Sequence, residues 1–280
     1  MAKKIANVYG DISIKSPFNS DQLIIEVSNY HIACTVKLSI GGELSAVEVY
    51  SFNSYEEEWY DIFQDIRSKS KILNRGFIDT RVYFNLPETV LIPNDLYKES
   101  TASEYLQLIH GDIINQVIKT EAVTTAGITI ATKIKRGLLD AVNSNLMMIT
   151  THNSHKVFVE NLLNPKRAYN HSLLKVQLYN DEILVGLVYD SKLLIVQLYY
   201  QSTAEDILFH LLNVLQQYNL KPEESILELS GYIEIKTPLY ENLKKVFPRI
   251  TFENPSDEQI KLHDFTKYPK HYLTPFLNLS

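Results

Sequence analysis

One run of strands and a helix occurs twice in this chain, and that recurrence restricts the fold more than any other feature. Residues 21–52 read as three strands: Leu23 to Val27, His31 to Ile40 and Leu44 to Phe52. Gly41-Gly42 between apolar, β-branched runs is a hairpin signal. Ser54 with Glu57 three residues on forms a capping-box pattern, and Trp59, Ile62, Phe63 and Ile66 fall on one helical face. About 150 residues later the plan returns in Leu173 to Leu178, Ile183 to Tyr189 and Leu193 to Tyr200. Ser202 with Glu205 supplies a second box, and Ile207, Leu208, Leu211, Val214 and Leu215 line its helix. Two boxes at one place in two β-β-β-α units imply an internal duplication.

Each unit continues with alternating elements. The second reads as a strand at Ser225 to Leu229, a helix at Thr237 to Val246 with Pro238 in its first turn, and a strand at Arg249 to Phe252. The first reads as short strands at Arg81 to Phe84 and Val90 to Ile92 and a polar helix near 102–118. A strand at Ile128 to Thr132, a helix at 134–142 and a strand at Leu146 to Ile149 complete it. This order resembles a ribonuclease-H-like domain, and two such lobes in tandem resemble the actin-like ATPase fold. That is an α/β fold with a mixed sheet and flanking helices in each lobe. The expected boundaries are 1–150 and 151–255 for the lobes and 256–280 for an apolar tail.

Three segments carry a family resemblance: Tyr268-Pro269-Lys270-His271-Tyr272-Leu273-Thr274-Pro275-Phe276-Leu277-Asn278-Leu279, Val90-Leu91-Ile92-Pro93-Asn94-Asp95-Leu96-Tyr97, and Leu229-Ser230-Gly231-Tyr232-Ile233 leading to Leu239-Tyr240. They resemble an uncharacterised Bacteroidetes domain-of-unknown-function family over the whole chain. The resemblance implies a degenerate actin-like fold without an assigned activity. More distantly the chain is similar to pilus-assembly and cell-division members of the actin-like group, which carry a Val-Pro-x-x-Leu/Phe step.

Such folds hold nucleotide on two hairpins of Asp-x-Gly type, where glycine lets backbone N–H groups reach phosphate and Asp holds Mg²⁺ through water. The first hairpin carries Glu26-Val27-Ser28-Asn29-Tyr30, with no glycine. The second carries Gln177-Leu178-Tyr179-Asn180-Asp181, an amide and a bulky ring where a carboxylate and glycine are needed. The adenosine-side signature of such folds has Gly-Gly after a strand; Ser230-Gly231-Tyr232 matches it weakly and also reads as a plain loop. The degenerate cleft candidates are therefore Glu26, Ser28, Gln177, Tyr179, Asp181 and Gly231. A two-metal nuclease would need converging carboxylates, but Asn85 and Gln177 stand where partners of Glu26 and Glu228 belong. His152 and His155 have a spacing that shares a metal on a helix, without a third ligand. Asn153 or Ser154 capping a helix explains that segment without metal. No catalytic residue, metal or cofactor is expected; Mg-ATP is the cofactor the alternative would require.

Composition narrows the partners. A net charge of −6 leaves only Lys133, Lys135 and Arg136 as a basic stripe, too short for a phosphate backbone. The expectation is no nucleic acid. No apolar run approaches the ~20 residues that span a bilayer, and the N-terminus lacks a signal-peptide core. The expectation is no membrane partner. Cys34 is the only cysteine, reads as a core residue, and fits a reducing, cytoplasmic compartment. The tail residues Phe265, Tyr268, His271, Tyr272 and Phe276 hold much apolar area, with Pro269 and Pro275 against a helix. They read as docking on the body or on a partner. The leading functional reading is a non-catalytic scaffold or adaptor for an unidentified protein partner. The alternative is a nucleotide-binding protein or slow ATPase with atypical phosphate loops.

Overall fold

The computed structural model of the chain describes residues 1–9, 18–40, 42–112, 114–164, 171–255 and 267–279. They form two compact units, Met1–Lys156 and Val157–Pro255, and the described tail residues up to Asn278 join the second.

The first unit opens with a strand absent from the sequence reading, β1 (Lys3–Tyr9). Only Ala6 and Val8 are buried along it, so its apolar alternation is too short to register. Next come β2 (Phe18–Val27), β3 (His31–Lys37), β4 (Leu44–Ser51), α1 (Trp59–Lys69) and β5 (Gly76–Phe84). β6 (Thr89–Pro93), α2 (Glu99–His110), β7 (Gln116–Val123), β8 (Ile128–Lys135), α3 (Arg136–Asn145) and β9 (Ile149–Asn153) follow; α4 (Ser154–Leu162) begins there, and its residues from Val157 on belong to the second unit. The large sheet has the order β1-β4-β3-β2-β5-β9. β2–β3 and β3–β4 are antiparallel, while β2–β5 and β5–β9 are parallel. Ile25 and Val27 pack in one core with Ile62, Phe63 and Ile66 of α1 and Leu138 and Val142 of α3. Each such buried aliphatic or aromatic side chain contributes roughly 1.5–3 kcal/mol.

Three local expectations are corrected. The helix expected over 102–118 stops at His110, where Gly111 turns the chain at φ +75, and the β-branched residues after it make β7. Ser54 does not cap α1; its N–H donates to Asn29 O (3.0 Å) and its hydroxyl reaches Asn29 Oδ1 (3.4 Å). The helix starts at Trp59 without a side-chain cap. The strand expected at Leu146–Ile149 begins at Ile149, because α3 runs to Asn145 with Leu146 N–H bonded to Val142 O.

Glu48, on β4, organises the end of the large sheet where β4 pairs with β1. Its fully buried carboxylate accepts from Lys4 Nζ (2.9 Å), Lys71 N–H (3.0 Å), Tyr50 OH (3.0 Å) and Ser70 Oγ (2.5 Å), and also from Tyr9 OH. Burial opposes its charge, but these donors together hold its pKa below the ordinary carboxylate value. Cys34 is buried, and desolvation pushes its thiol far up, so it is core and not a nucleophile.

β6, β8 and β7 form a separate three-stranded antiparallel sheet in that order. Val90, Ile92, Ala102, Leu106 and Ala131 pack α2 onto it.

The second unit contains β10 (Ser172–Leu178), β11 (Glu182–Tyr189), β12 (Lys192–Tyr200), α5 (Ala204–Gln217), β13 (Ser225–Gly231), α6 (Pro238–Val246) and β14 (Ile250–Phe252). Its sheet has the order β12-β11-β10-β13-β14, with β10–β11 and β11–β12 antiparallel and β10–β13 and β13–β14 parallel. That repeats the order and directions of β4-β3-β2-β5-β9 and is the layout expected of a ribonuclease-H-like lobe. The cap of α5 sits one residue later than expected. Thr203 Oγ1 accepts from Asp206 N–H (3.1 Å), while the Asp206 carboxylate accepts from Thr203 N–H (2.9 Å) and Ser202 N–H (3.0 Å). The shorter Asp closes this box, and Ser202 with Glu205 does not. α6 begins as expected, with Thr237 as its cap.

On the other face of β10, Lys175 is fully buried against Glu253 (2.5 Å) and lies over the Phe158 ring (5.6 Å). Gly186, paired with Lys175, explains a glycine inside β11: an added Cβ would stand 2.5 Å from Phe158 and 2.7 Å from Leu162 of α4. The tail ends in α7 (Thr274–Leu277), all four residues buried.

Candidate functional site

The two hairpins share one hydrogen-bond frame, which fixes the correspondence between them. Ser28 N–H bonds His31 O (2.9 Å), as Tyr179 N–H bonds Glu182 O (2.9 Å). Phe52 N–H bonds Tyr30 O (2.9 Å), as Gln201 N–H bonds Asp181 O (3.0 Å). Asn85 N–H bonds Val27 O (2.9 Å), as Tyr232 N–H bonds Leu178 O (2.8 Å). Gln177 thus holds the place of Glu26, Tyr179 that of Ser28, and Asp181 that of Tyr30.

In the first hairpin the chain's own groups use the polar capacity. Glu26 is buried, and its Oε2 lies 3.1 Å from His31 Nε2. His31 Nδ1 lies 2.8 Å from Ser28 Oγ, which also accepts from Tyr30 and His31 N–H (3.0 Å each). With those lone pairs taken, the Ser28 hydroxyl donates to Nδ1, and Nε2–H donates to Glu26. A carboxylate, imidazole and serine in series resemble a nucleophile relay. Ser28 is fully buried, and its hydroxyl is held in its own turn. His31 is the member that sequence reasoning missed, since at a strand start it carries no motif. The Asn85 side-chain amide, fully buried at the end of β5, has no hydrogen-bond partner among the described residues.

In the second hairpin Gln177 and Tyr179 are buried, and Tyr179 OH donates to Gln177 Oε1 (3.2 Å). The Tyr179 ring packs against Phe276 of α7 at 5.8 Å. Asp181 takes the Asn180 side-chain amide at 2.6 Å. Gly231, at φ +86, has a local reason: a Cβ there would stand 2.0 Å from Leu178 O, where β13 closes on β10. The tail covers this end. His271 Nε2 bonds Ile233 O (2.7 Å) and its ring stacks on Phe252 (4.2 Å). Tyr272 meets Tyr232 (4.8 Å) and Tyr268 (5.7 Å). Thr274 Oγ1 donates to Glu253 O (3.2 Å), and Asn278 Nδ2 to Glu253 Oε1 (3.1 Å). Phe265 lies outside the described residues.

The histidine pair is split. His152 is on β9, against Tyr83 (5.2 Å), while His155 is buried in α4, whose first turn is capped by Asn153 Oδ1 accepting His155 N–H (2.8 Å). Burial lowers the His155 pKa to about 4. Among the described residues no group of three metal-ligating side chains converges, and no helix is long and apolar enough to cross a membrane.

A cavity of about 400 Å³ lies in the first unit between β7, β8 and β9, with Lys119, Glu121, Thr151 and His152 on its walls. Sequence reasoning missed it because it ran the preceding helix to 118. The alternation of Lys119 and Glu121 across an edge strand is the signal that marks it.

Comparison with known proteins bears out the fold. A Bacteroides thetaiotaomicron protein with actin-like ATPase fold and unknown function superposes with a TM-score of 0.73 at 16% identity, over 84% of this chain and 91% of its own. The PilM–PilN type IV pilus biogenesis complex gives a TM-score of 0.58 at 12% identity, over 92% of this chain and 97% of that chain. No curated protein sequence matches the chain. The model of the family described as "Protein of unknown function (DUF3822)" matches residues 15–250. The chain therefore belongs to that family, and its fold is the actin-like ATPase fold.

Proposed function

We propose that this chain is a non-catalytic member of the actin-like group, a scaffold or adaptor for a protein partner in a reducing, cytoplasmic compartment. One observation carries the reading: at both hairpins, side chains of the chain itself stand where phosphate and hydrated Mg²⁺ would be held. Glu26 is taken by His31, and Tyr179 is packed under Phe276. Phosphoryl transfer needs backbone donors already aimed at phosphate and an anchored metal. Gln177 is neutral and Tyr179 bulky, so the second hairpin offers neither. The matching sheets and hydrogen-bond frames support an internal duplication whose loops have diverged while its cores persist. A chain of similar fold belongs to the PilM–PilN type IV pilus biogenesis complex, which supports partner binding as a use of this fold.

Thermal unfolding with and without Mg-ATP tests the reading. A ligand at 100 times its Kd adds ~2.7 kcal/mol, and no shift is expected. A Mg²⁺-dependent rise that Asp181→Ala removes would establish the nucleotide-binding alternative. Capture from the native host, read by mass spectrometry, should return a stoichiometric protein partner.

A further inference from the structure

We propose that the outer edge of β12 pairs antiparallel with β12 of a second copy of this chain, joining two five-stranded sheets across a two-fold axis at Gln197. This goes beyond the scaffold reading and does not depend on it.

The chain's own duplication shows what this edge lacks. Gln201 N–H bonds Asp181 O, so alternation makes Tyr199, Gln197 and Ile195 the residues that bond β11. The main-chain groups of Val196 and Leu198 then point outward. Phe52 N–H to Tyr30 O is the equivalent bond, so Val47 and Val49 of β4 hold the same two places in the first unit. There β1 covers them, with Val8 opposite Val47 and Ala6 opposite Val49. Among the described residues no strand pairs with the outer edge of β12. The side chains of Val196 and Leu198 are buried, so the edge offers main chain alone.

The occupant follows from the chemistry of the strand. Leu193 to Tyr200 carries no charge and no proline, the devices that keep open edges apart. β1, by contrast, carries Lys3, Lys4 and a bulge, and β14 has three residues. Two copies of β12 therefore meet with no like charges opposed. The register is set from one side. Leu194 is the extra residue of a bulge, and its carbonyl accepts from Tyr218 OH (2.8 Å), so pairing stops there. Val196 and Leu198 remain. In an antiparallel pair each copy's Val196 lies opposite the other's Leu198, and Gln197 lies opposite itself, the self-complementary match that a two-fold axis demands. Gln197 Nε2 reaches Leu198 O at 3.4 Å, a long contact that an incoming N–H displaces. Phe209 of α5, 65% exposed, meets His210 (5.6 Å), whose ring stacks on Tyr199 (4.4 Å). A large exposed ring thus stands beside the pairing strand.

Sedimentation equilibrium of the full chain and residue-resolved amide hydrogen exchange test the pairing together. The expected result is a reversible dimer with a Kd below about 100 μM. The amides of Val196 and Leu198 should exchange freely in dilute solution and become protected as the dimer fills. Gln197→Lys sets two ammonium groups opposite each other at the axis and should weaken the dimer at least about tenfold. Gln197→Thr is neutral and should leave the Kd within about threefold. A monomer at every concentration would overturn the proposal, as would a dimer that Gln197→Lys leaves intact. Free exchange of both amides in the dimer would place the contact elsewhere and overturn it. Protection that dilution does not change would overturn it too, since a segment of the same chain would then cover the edge. The exchange measurement uses the unmodified chain, so it decides even if the variants do not fold.

Discussion

Replacing Phe276 with alanine tests how firmly the tail closes the second unit. The ring is 1% exposed and faces Tyr179 at 5.8 Å and Tyr232 at 6.3 Å. Removing such a ring from a rigid core costs about 3–5 kcal/mol. α7 has four residues, so a second response competes: the segment can undock, which caps the loss at its docking free energy. The expected loss is therefore near the low end, about 3 kcal/mol. Phe276→Leu, keeping most of the volume, should cost under about 1.5 kcal/mol. Urea unfolding followed by far-ultraviolet circular dichroism measures both. Limited trypsin digestion reports undocking at the exposed Lys267 and Lys270. A loss below 1 kcal/mol in Phe276→Ala without faster cleavage would show that the ring does not hold the tail.

Other perturbations address the core. His155 is neutral when folded, with a pKa near 4 against an ordinary 6.5. Its contribution is complete above pH 6.5 and falls as pH drops toward 4, by about 3 kcal/mol in all. Denaturation from pH 7 to 5 should therefore show a steeper loss in the parent than in His155→Phe, and parallel curves would count against it. Glu48 has a depressed pKa, so its stabilisation holds above the ordinary 4.5 and disappears as pH falls through its lower folded value. Glu48→Gln should flatten that acid limb and cost about 1–3 kcal/mol at neutral pH, read by Trp59 fluorescence; an unchanged limb would contradict the network. Gly186→Ala drives a methyl into Phe158 and Leu162 and should cost about 1–3 kcal/mol. A stabilised variant would show that α4 yields easily.

The β-β-β-α units were legible because a strand buried on both faces, such as β11 with its run Ile183–Val188, is a near-continuous apolar stretch that needs no partner to be recognised. Helix starts were less legible. Ser54 has the right spacing to Glu57, but the β2–β3 turn claims it, and that competitor is about 25 residues away in sequence. Thr203 with Asp206 lay one residue beside the expected box, and only backbone geometry chooses between them. The hairpin chemistry was read from what is missing, while its replacement, His31 bridging Glu26 and Ser28, is a contact across a turn that no motif encodes. The cavity was illegible for a further reason: its walls come from β7 and β8 of the three-stranded sheet and β9 of the six-stranded one, and only the packing of the two sheets brings them together.

The central claim is that the hairpins no longer support phosphoryl transfer. Steady-state phosphate release from Mg-ATP by the purified chain tests it most directly, with Glu26→Ala and Asp181→Ala as controls. The account predicts turnover indistinguishable from the no-protein background in all three. Mg²⁺-dependent turnover in the parent that either substitution abolishes would contradict it.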